Sequence, residues 1–248
     1  MNVLLLGGTP EARRLAAAVG SRRGIALTSS LGGTVDVSLL PEGDVRIGGF
    51  GGVAGLTGWL RDHGTDAVID ATHPFATRMT AAAVTAAAAL DLPLLVLRRP
   101  GWTAGPGDRW HRVPDVAAAA ALAPRFGERA FLAIGPEGIP AFAADATGWF
   151  LLRGAEPPAP PLPPRHRFVR DRGPYTADAE RALLREHRID VVVCRDSGGD
   201  LTAAKLVAAR ELGLPVVMVD RPGVPPGVVT VPTVEEAMDW LTATFPHG

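Results

Sequence analysis

Five short stretches of this 248-residue chain carry residues whose types and spacing could do chemistry. The first, Gly7-Gly8-Thr9-Pro10-Glu11-Ala12, follows an apolar run and opens a helix-forming stretch. Glycines there permit a tight turn and close backbone approach to a ligand, and the N–H groups of a helix start attract phosphate. Pro10 suits a first helical turn, where its missing N–H is not needed. The motif is not a full G-x-G-x-x-G, since Ala12 stands where the last glycine often does, and a plain strand-to-helix turn is the alternative. Its place at the first strand favours a dinucleotide site contacted by Gly7, Gly8 and Thr9.

The second stretch, Thr28-Ser29-Ser30-Leu31-Gly32-Gly33, lies where an NAD-selective fold places an acid for the ribose 2′-hydroxyl, about 20 residues beyond the glycines. Here it is uncharged and hydroxyl-rich, so it would not repel a 2′-phosphate, and NADP(H) is favoured over NAD(H). The third, Asp70-Ala71-Thr72-His73-Pro74-Phe75-Ala76, follows another apolar run. Thr72 and His73 could contact a nicotinamide or hold a substrate group, and a histidine can give a proton near neutral pH. The competing reading is that Asp70 and Thr72 cap a helix while His73 is solvated.

The fourth stretch holds Arg165, Arg167, Arg170 and Arg172 against one acid, Asp171. Guanidinium groups bind carboxylates in bidentate fashion, so this is a carboxylate clamp or else a solvated surface strand. The fifth runs from Arg195 to Lys205, through Asp196-Ser197-Gly198-Gly199 and Thr202. It repeats the strand, glycine loop and helix order, and Ser197 or Thr202 could build a second anion site. Lys205 is the only lysine among 25 Lys and Arg residues. The P-loop spacing is absent, which disfavours an ATPase. Cys194 ends an apolar run and reads as a buried, inert thiol.

These stretches need strands to carry them. Short, mostly apolar runs, for the most part without alternation, occur at 3–6, 25–28, 44–47, 67–70 and 94–97, and again at 130–134, 149–152, 191–194 and 216–219. Such runs suit parallel strands buried on both faces. Helical stretches fall between them at 11–19, 53–63 and 75–90, then at 116–122, 177–187, 201–212 and 234–244. Alternation of this kind means βαβ units and a parallel sheet. Thr233 with Glu236 forms a capping box for the last helix. The turn-rich stretch 98–107 reads as the boundary between halves, and 155–164, with six prolines in ten residues, as an extended connection inside the second half.

A hydrophobic fraction of 47% fits a globular protein, and a net charge of −1 gives no global field for nucleic acid or an acidic membrane. One cysteine allows no internal disulfide, no metal is expected, and no apolar stretch approaches the roughly 20 residues of a spanning helix. A cytoplasmic protein is therefore expected. The oligomeric state stays open, leaning to a monomer.

Taken in order, LLLGGTPEARRLA, DATHPFA, LRRPGW, RGPY and DSGG…TAAKL…AARELGLPVVMVDRP resemble the precorrin-6A reductase family of cobalamin biosynthesis. The resemblance covers nearly the whole chain. It implies an α/β fold of two Rossmann-like halves with parallel sheets and a cleft between them. Residues 1–100 would form the NADP(H)-binding half and 101–248 the mainly substrate-binding half. It also implies NADPH-dependent reduction of one carbon–carbon double bond of precorrin-6A, a tetrapyrrole-derived macrocycle, to give precorrin-6B. On matching motif positions, Gly7, Gly8, Thr9, Ser29, Ser30, Thr72 and His73 fall to the cofactor. Arg172, Gly173, Tyr175, Ser197, Gly198 and Lys205 fall to the substrate, with His73 and Tyr175 as candidate proton donors. The family's Ser-Leu-Ala-Gly-Arg is here Ser30-Leu31-Gly32-Gly33-Thr34, so Arg13 or Arg14 would have to replace that arginine at a 2′-phosphate. A short-chain dehydrogenase is disfavoured because Tyr175 lacks a lysine four residues on. Two other readings remain: a reductase of the cobalt-containing precorrin-6A, and a two-lobed, non-enzymatic binder of a small anionic ligand.

Overall fold

The computed structural model describes residues 1–20, 22, 24–33, 40–41, 43–171 and 173–245. The strands run in chain order as β1 (Asn2–Leu6), β2 (Ala26–Leu31), β3 (Asp44–Ile47), β4 (Ala67–Asp70), β5 (Leu94–Leu97) and β6 (Trp110–Val113). They continue as β7 (Arg129–Ala133), β8 (Trp149–Gly154), β9 (His166–Arg170), β10 (Val191–Arg195), β11 (Val216–Val219) and β12 (Val229–Val231). The α-helices are α1 (Pro10–Gly20), α2 (Val53–Asp62), α3 (Thr77–Ala89), α4 (Val116–Leu122), α5 (Ala177–Glu186), α6 (Ala204–Glu211) and α7 (Val234–Thr244). The chain divides into two units, Met1–Pro100 with Pro222–Gly248, and Gly101–Arg221.

The first unit is a six-stranded sheet ordered β12-β5-β4-β1-β2-β3, with every pairing parallel. The runs of β1, β2, β4 and β5 are buried on both faces, as the absence of alternation in the sequence requires. β3, expected to be buried likewise, is an edge strand with no buried residue, because Asp44 and Arg46 alternate with its apolar residues. Val3 and Leu5 point to a core shared with α1 and α7, while Leu4 and Leu6 point to a core shared with α2 and α3. Leu4 is fully buried, a gain of about 1.5–3 kcal/mol over an exposed side chain. Short strands of this kind are held by their two-sided cores more than by their length.

The second unit repeats the design with the order β6-β11-β10-β7-β8-β9, again all parallel. Phe131, Leu151, Val192, Cys194 and Met218 pack against Leu184 of α5 and Leu206, Ala208 and Ala209 of α6. Each sheet has a switch point where strand order reverses, at β1/β4 in the first unit and at β7/β10 in the second. Open α/β sheets bind ligands beyond the carboxyl ends of such strands.

The expected second half, 101–248, ends differently: from Pro222 the chain belongs to the first unit. β12 completes the first sheet beside β5, and Val234, Ala237, Met238 and Leu241 of α7 enter the core beneath α1. Thr233 caps α7 by accepting from the Glu236 N–H at 3.2 Å, and its hydroxyl also meets the Glu236 carboxylate at 3.2 Å. The expected helix at 201–212 is split into a 3-10 turn (Asp200–Thr202) and α6. Among the described residues no helix is long and apolar enough to cross a membrane, and no group of three or more His, Cys, Asp or Glu could hold a metal.

Candidate functional site

In the first unit the sequence-derived residues converge on one sheet edge. Gly7, Gly8 and Thr9 follow β1, Ser29 and Ser30 end β2, and Thr72 and His73 follow β4; β2 and β4 flank β1. Gly7 donates its N–H to the Ser30 carbonyl at 2.9 Å, which draws the loop against the end of β2. A side chain at Gly7 would press on Leu31 Cδ2 at 3.1 Å. Gly8 has φ +106°, a conformation that favours glycine, and no atom lies within 4 Å of where its Cβ would stand. The loop thus brings open backbone to the start of α1.

The Thr9 side chain is tied into the fold. Its hydroxyl donates to the Ala71 carbonyl at 2.7 Å and accepts from the Ala12 N–H at 3.1 Å. The side chain therefore caps α1 and ties the loop after β1 to the loop after β4. Asp70, almost fully buried, accepts through Oδ1 from the Thr72 N–H at 3.0 Å and the Thr72 hydroxyl at 2.6 Å. Its Oδ2 is buried and has no hydrogen-bond partner among the described residues, and the same is true of Ser29 Oγ. A buried carboxylate oxygen in that state is costly unless something donates to it.

Asp70, Thr72, His73, Thr77 and Arg98 line a cavity of about 210 Å³, closed on another side by the returning segment at Gly223 to Pro225. His73 Nδ1 accepts from the Phe75 N–H at 3.3 Å, which suits the tautomer with its proton on Nε2.

Glu11, in the first turn of α1, would weaken that helix start as an anion site if it stood alone. The Arg99 guanidinium lies 2.7 Å from its carboxylate, and Arg14 lies at 3.3 Å. Burial pushes the Glu11 carboxyl up, but a backbone hydrogen bond and Arg99 outweigh it and hold the carboxyl below its usual value. Arg99 escapes sequence reading because its partner is far along the chain.

In the second unit Ser197 and Gly198 follow β10, with Lys205 on α6 behind them. Lys205 is buried: Nζ donates to the Thr202 carbonyl at 2.5 Å and lies 4.8 Å from the Trp102 ring centre. Burial pulls its ammonium below the usual lysine value. This lysine holds the 3-10 turn beneath the glycine loop. Cys194 is fully buried, and burial pushes its thiol up to about 11.

Gly173 and Tyr175 lie in the connection from β9 to α5, at the edge of the sheet rather than at its switch point. Arg153 stacks over the Tyr175 ring at 3.7 Å and pairs with buried Glu180 at 2.5 Å. Burial raises the Tyr175 phenol, so it stays protonated. Arg172 lies outside the described residues. Of its neighbours, Arg170 meets Glu156 at 3.1 Å and Arg165 donates to the Thr147 carbonyl, so the basic stretch is an exposed edge strand. His73 and Tyr175 belong to different units.

Asp196 is the residue of this unit that motif reading underrates. It is buried and accepts from the Trp102 N–H at 3.0 Å, Arg112 at 2.8 Å and Arg221 at 3.4 Å. It thereby fixes both ends of the unit to the end of β10. Burial raises its carboxyl, but Arg112, the Trp102 N–H and Arg221 together keep it below the usual aspartate value. The available signal is a carboxylate at the carboxyl end of an apolar strand, one residue past β10, as Asp70 is the last residue of β4.

Residues 2–242 match the sequence model of the family described as "Precorrin-6x reductase CbiJ/CobK". The chain is 51% identical over 239 residues to the precorrin-6A reductase of Rhodococcus erythropolis, covering 96% of each. It is 50% identical over 240 residues to the precorrin-6A reductase of Mycobacterium tuberculosis, again covering 96% of each. A solved structure described as "CobK precorrin-6A reductase" superposes with a TM-score of 0.89 at 45% identity, covering 98% of this chain and 96% of that one.

Proposed function

Because this chain belongs to the precorrin-6x reductase family, it is a nicotinamide-dependent reductase of cobalamin biosynthesis, and we propose that its first unit holds NADPH for reduction of one double bond of precorrin-6A. The observation that carries the placement is the convergence of Gly7, Gly8, the end of β2 and the Asp70–His73 loop at the switch point of the first sheet. The residues fit such a group. Gly8 leaves open space beside the loop, and the buried Asp70 Oδ2 can accept from a ribose hydroxyl or a carboxamide.

Backbone N–H groups at the start of α1 would hold the pyrophosphate, with Arg99 offsetting Glu11. The cavity beside Asp70, Thr72 and His73 would take the nicotinamide half. When bound, NADPH supplies the hydride, and a proton added at the neighbouring carbon completes the reduction. His73 is the proton donor on this reading, with Tyr175 and water as rivals. The second unit receives the macrocycle through Gly173, Tyr175, Ser197, Gly198 and arginines that meet its carboxylates, Arg172 among them. Lys205 supports that surface from beneath.

A titration of NADPH into the wild type and Gly8→Ala tests the placement. The variant should bind at least tenfold more weakly while its circular dichroism spectrum is kept. Equal binding by both proteins would move the cofactor away from this loop.

A further inference from the structure

We propose that Arg46, with Ser30, is the selector of the cofactor's 2′-phosphate, a role that rests on NADPH binding to the first unit. The position follows from register. Ser30 pairs with Arg46 across β2 and β3, so the two side chains leave the same face at adjacent carboxyl ends. Arg46 Nη1 stands 3.4 Å from Ser30 Oγ. This is the edge at which an α/β dinucleotide fold meets the adenosine ribose, and where an NAD-selective site presents an acid. Here the corresponding pair is a hydroxyl and a guanidinium.

The guanidinium is also held in place. Nη1 donates to the Gly48 carbonyl, Nη2 donates to the Gly49 carbonyl at 2.8 Å, and the group lies 3.7 Å over the Phe50 ring. Phe50 in turn meets Trp59 of α2 edge-on at 5.8 Å. Stacking and carbonyl contacts fix the plane of a group with five N–H donors, so a bidentate phosphate contact can be added without ordering a loose side chain. Arg14, one of the two replacements suggested by the sequence, is engaged with Glu11 at 3.3 Å. Lysine would not reproduce the fork, and a neutral residue would remove the charge that distinguishes a phosphate from a hydroxyl.

Binding of NADPH and of NADH to the wild type, Arg46→Gln and Arg46→Lys, followed by nicotinamide fluorescence without substrate, tests this. Arg46→Gln should weaken NADPH by roughly ten- to hundred-fold and leave NADH within about twofold, with Arg46→Lys between. Equal weakening of both cofactors by both variants, or no change in either, overturns the role of Arg46. A wild type that binds neither cofactor overturns the cofactor reading itself. A wild type that binds both alike while keeping the glycine-loop dependence overturns only the selector.

Discussion

The Arg99 guanidinium sits 2.7 Å from the Glu11 carboxylate, at the first turn of the helix that opens behind the glycine loop. Arg99 follows β5 and precedes Pro100-Gly101; Arg221 follows β11 and precedes Pro222-Gly223. Each arginine thus leaves the second strand of its own sheet order and turns back onto a buried carboxylate, Glu11 in one unit and Asp196 in the other. The two crossings between units share an Arg-Pro-Gly sequence and an electrostatic device.

Removing the arginine should hurt more than removing the pair. Arg99→Gln leaves Glu11 buried beside a helix start with only the exposed Arg14, 3.3 Å away, as its partner, which should cost about 2–4 kcal/mol. Adding Glu11→Gln should return much of that loss. Denaturant melts of the two single variants and the double variant measure the coupling.

Acid should loosen both units through the same carboxylates. Glu11 and Asp196 are held below their ordinary values of 4.5 and 3.8, so the folded state binds those protons less readily than the unfolded chain. Their contribution is complete above the unfolded values and is lost as pH falls through the folded ones. Melting temperature should therefore decline steadily below about pH 4.5, and Asp196→Asn should flatten part of that slope while lowering the plateau. A series of melts from pH 7 to pH 3 reads both effects.

Thr9 should prove structural in its side chain. Thr9→Val removes both the cap on Ala12 and the tie to Ala71, with an expected cost of about 1–2 kcal/mol. Thr9→Ser should recover most of it. Thermal melts decide, and NADPH affinity of Thr9→Ser should stay near that of the wild type.

Proton delivery separates the two candidate donors. In single-turnover reduction, His73→Ala should slow the reaction by about 10²-fold or more, and Tyr175→Phe should leave it near the wild-type rate. The reverse pattern transfers the role to Tyr175, and no effect from either assigns the proton to water.

What the sequence discloses about this fold is what is local. The buried parallel strands are legible because Val3 to Leu6 or Val191 to Cys194 are unbroken apolar runs beside glycine loops and helices. β6 and β12 are not, because Trp110-His111-Arg112-Val113 and Val229-Thr230-Val231 are short edge strands of mixed polarity. The return of the chain to its first sheet is invisible for the same reason: it depends on Val229–Val231 finding Leu95–Leu97. The candidate site divides likewise. The glycine loop and Asp70–His73 announce themselves through strand–loop–helix order. Arg99 and Asp196 act through partners that only the fold brings near, as Arg46 does through Ser30.

Anaerobic incubation of the purified protein with precorrin-6A and NADPH, with the cobalt form in parallel, decides whether this protein reduces the macrocycle. One NADPH should be consumed per macrocycle, with a mass gain of two hydrogens in precorrin-6A. Binding of the macrocycle with no oxidation of NADPH, in either its metal-free or its cobalt form, would contradict it.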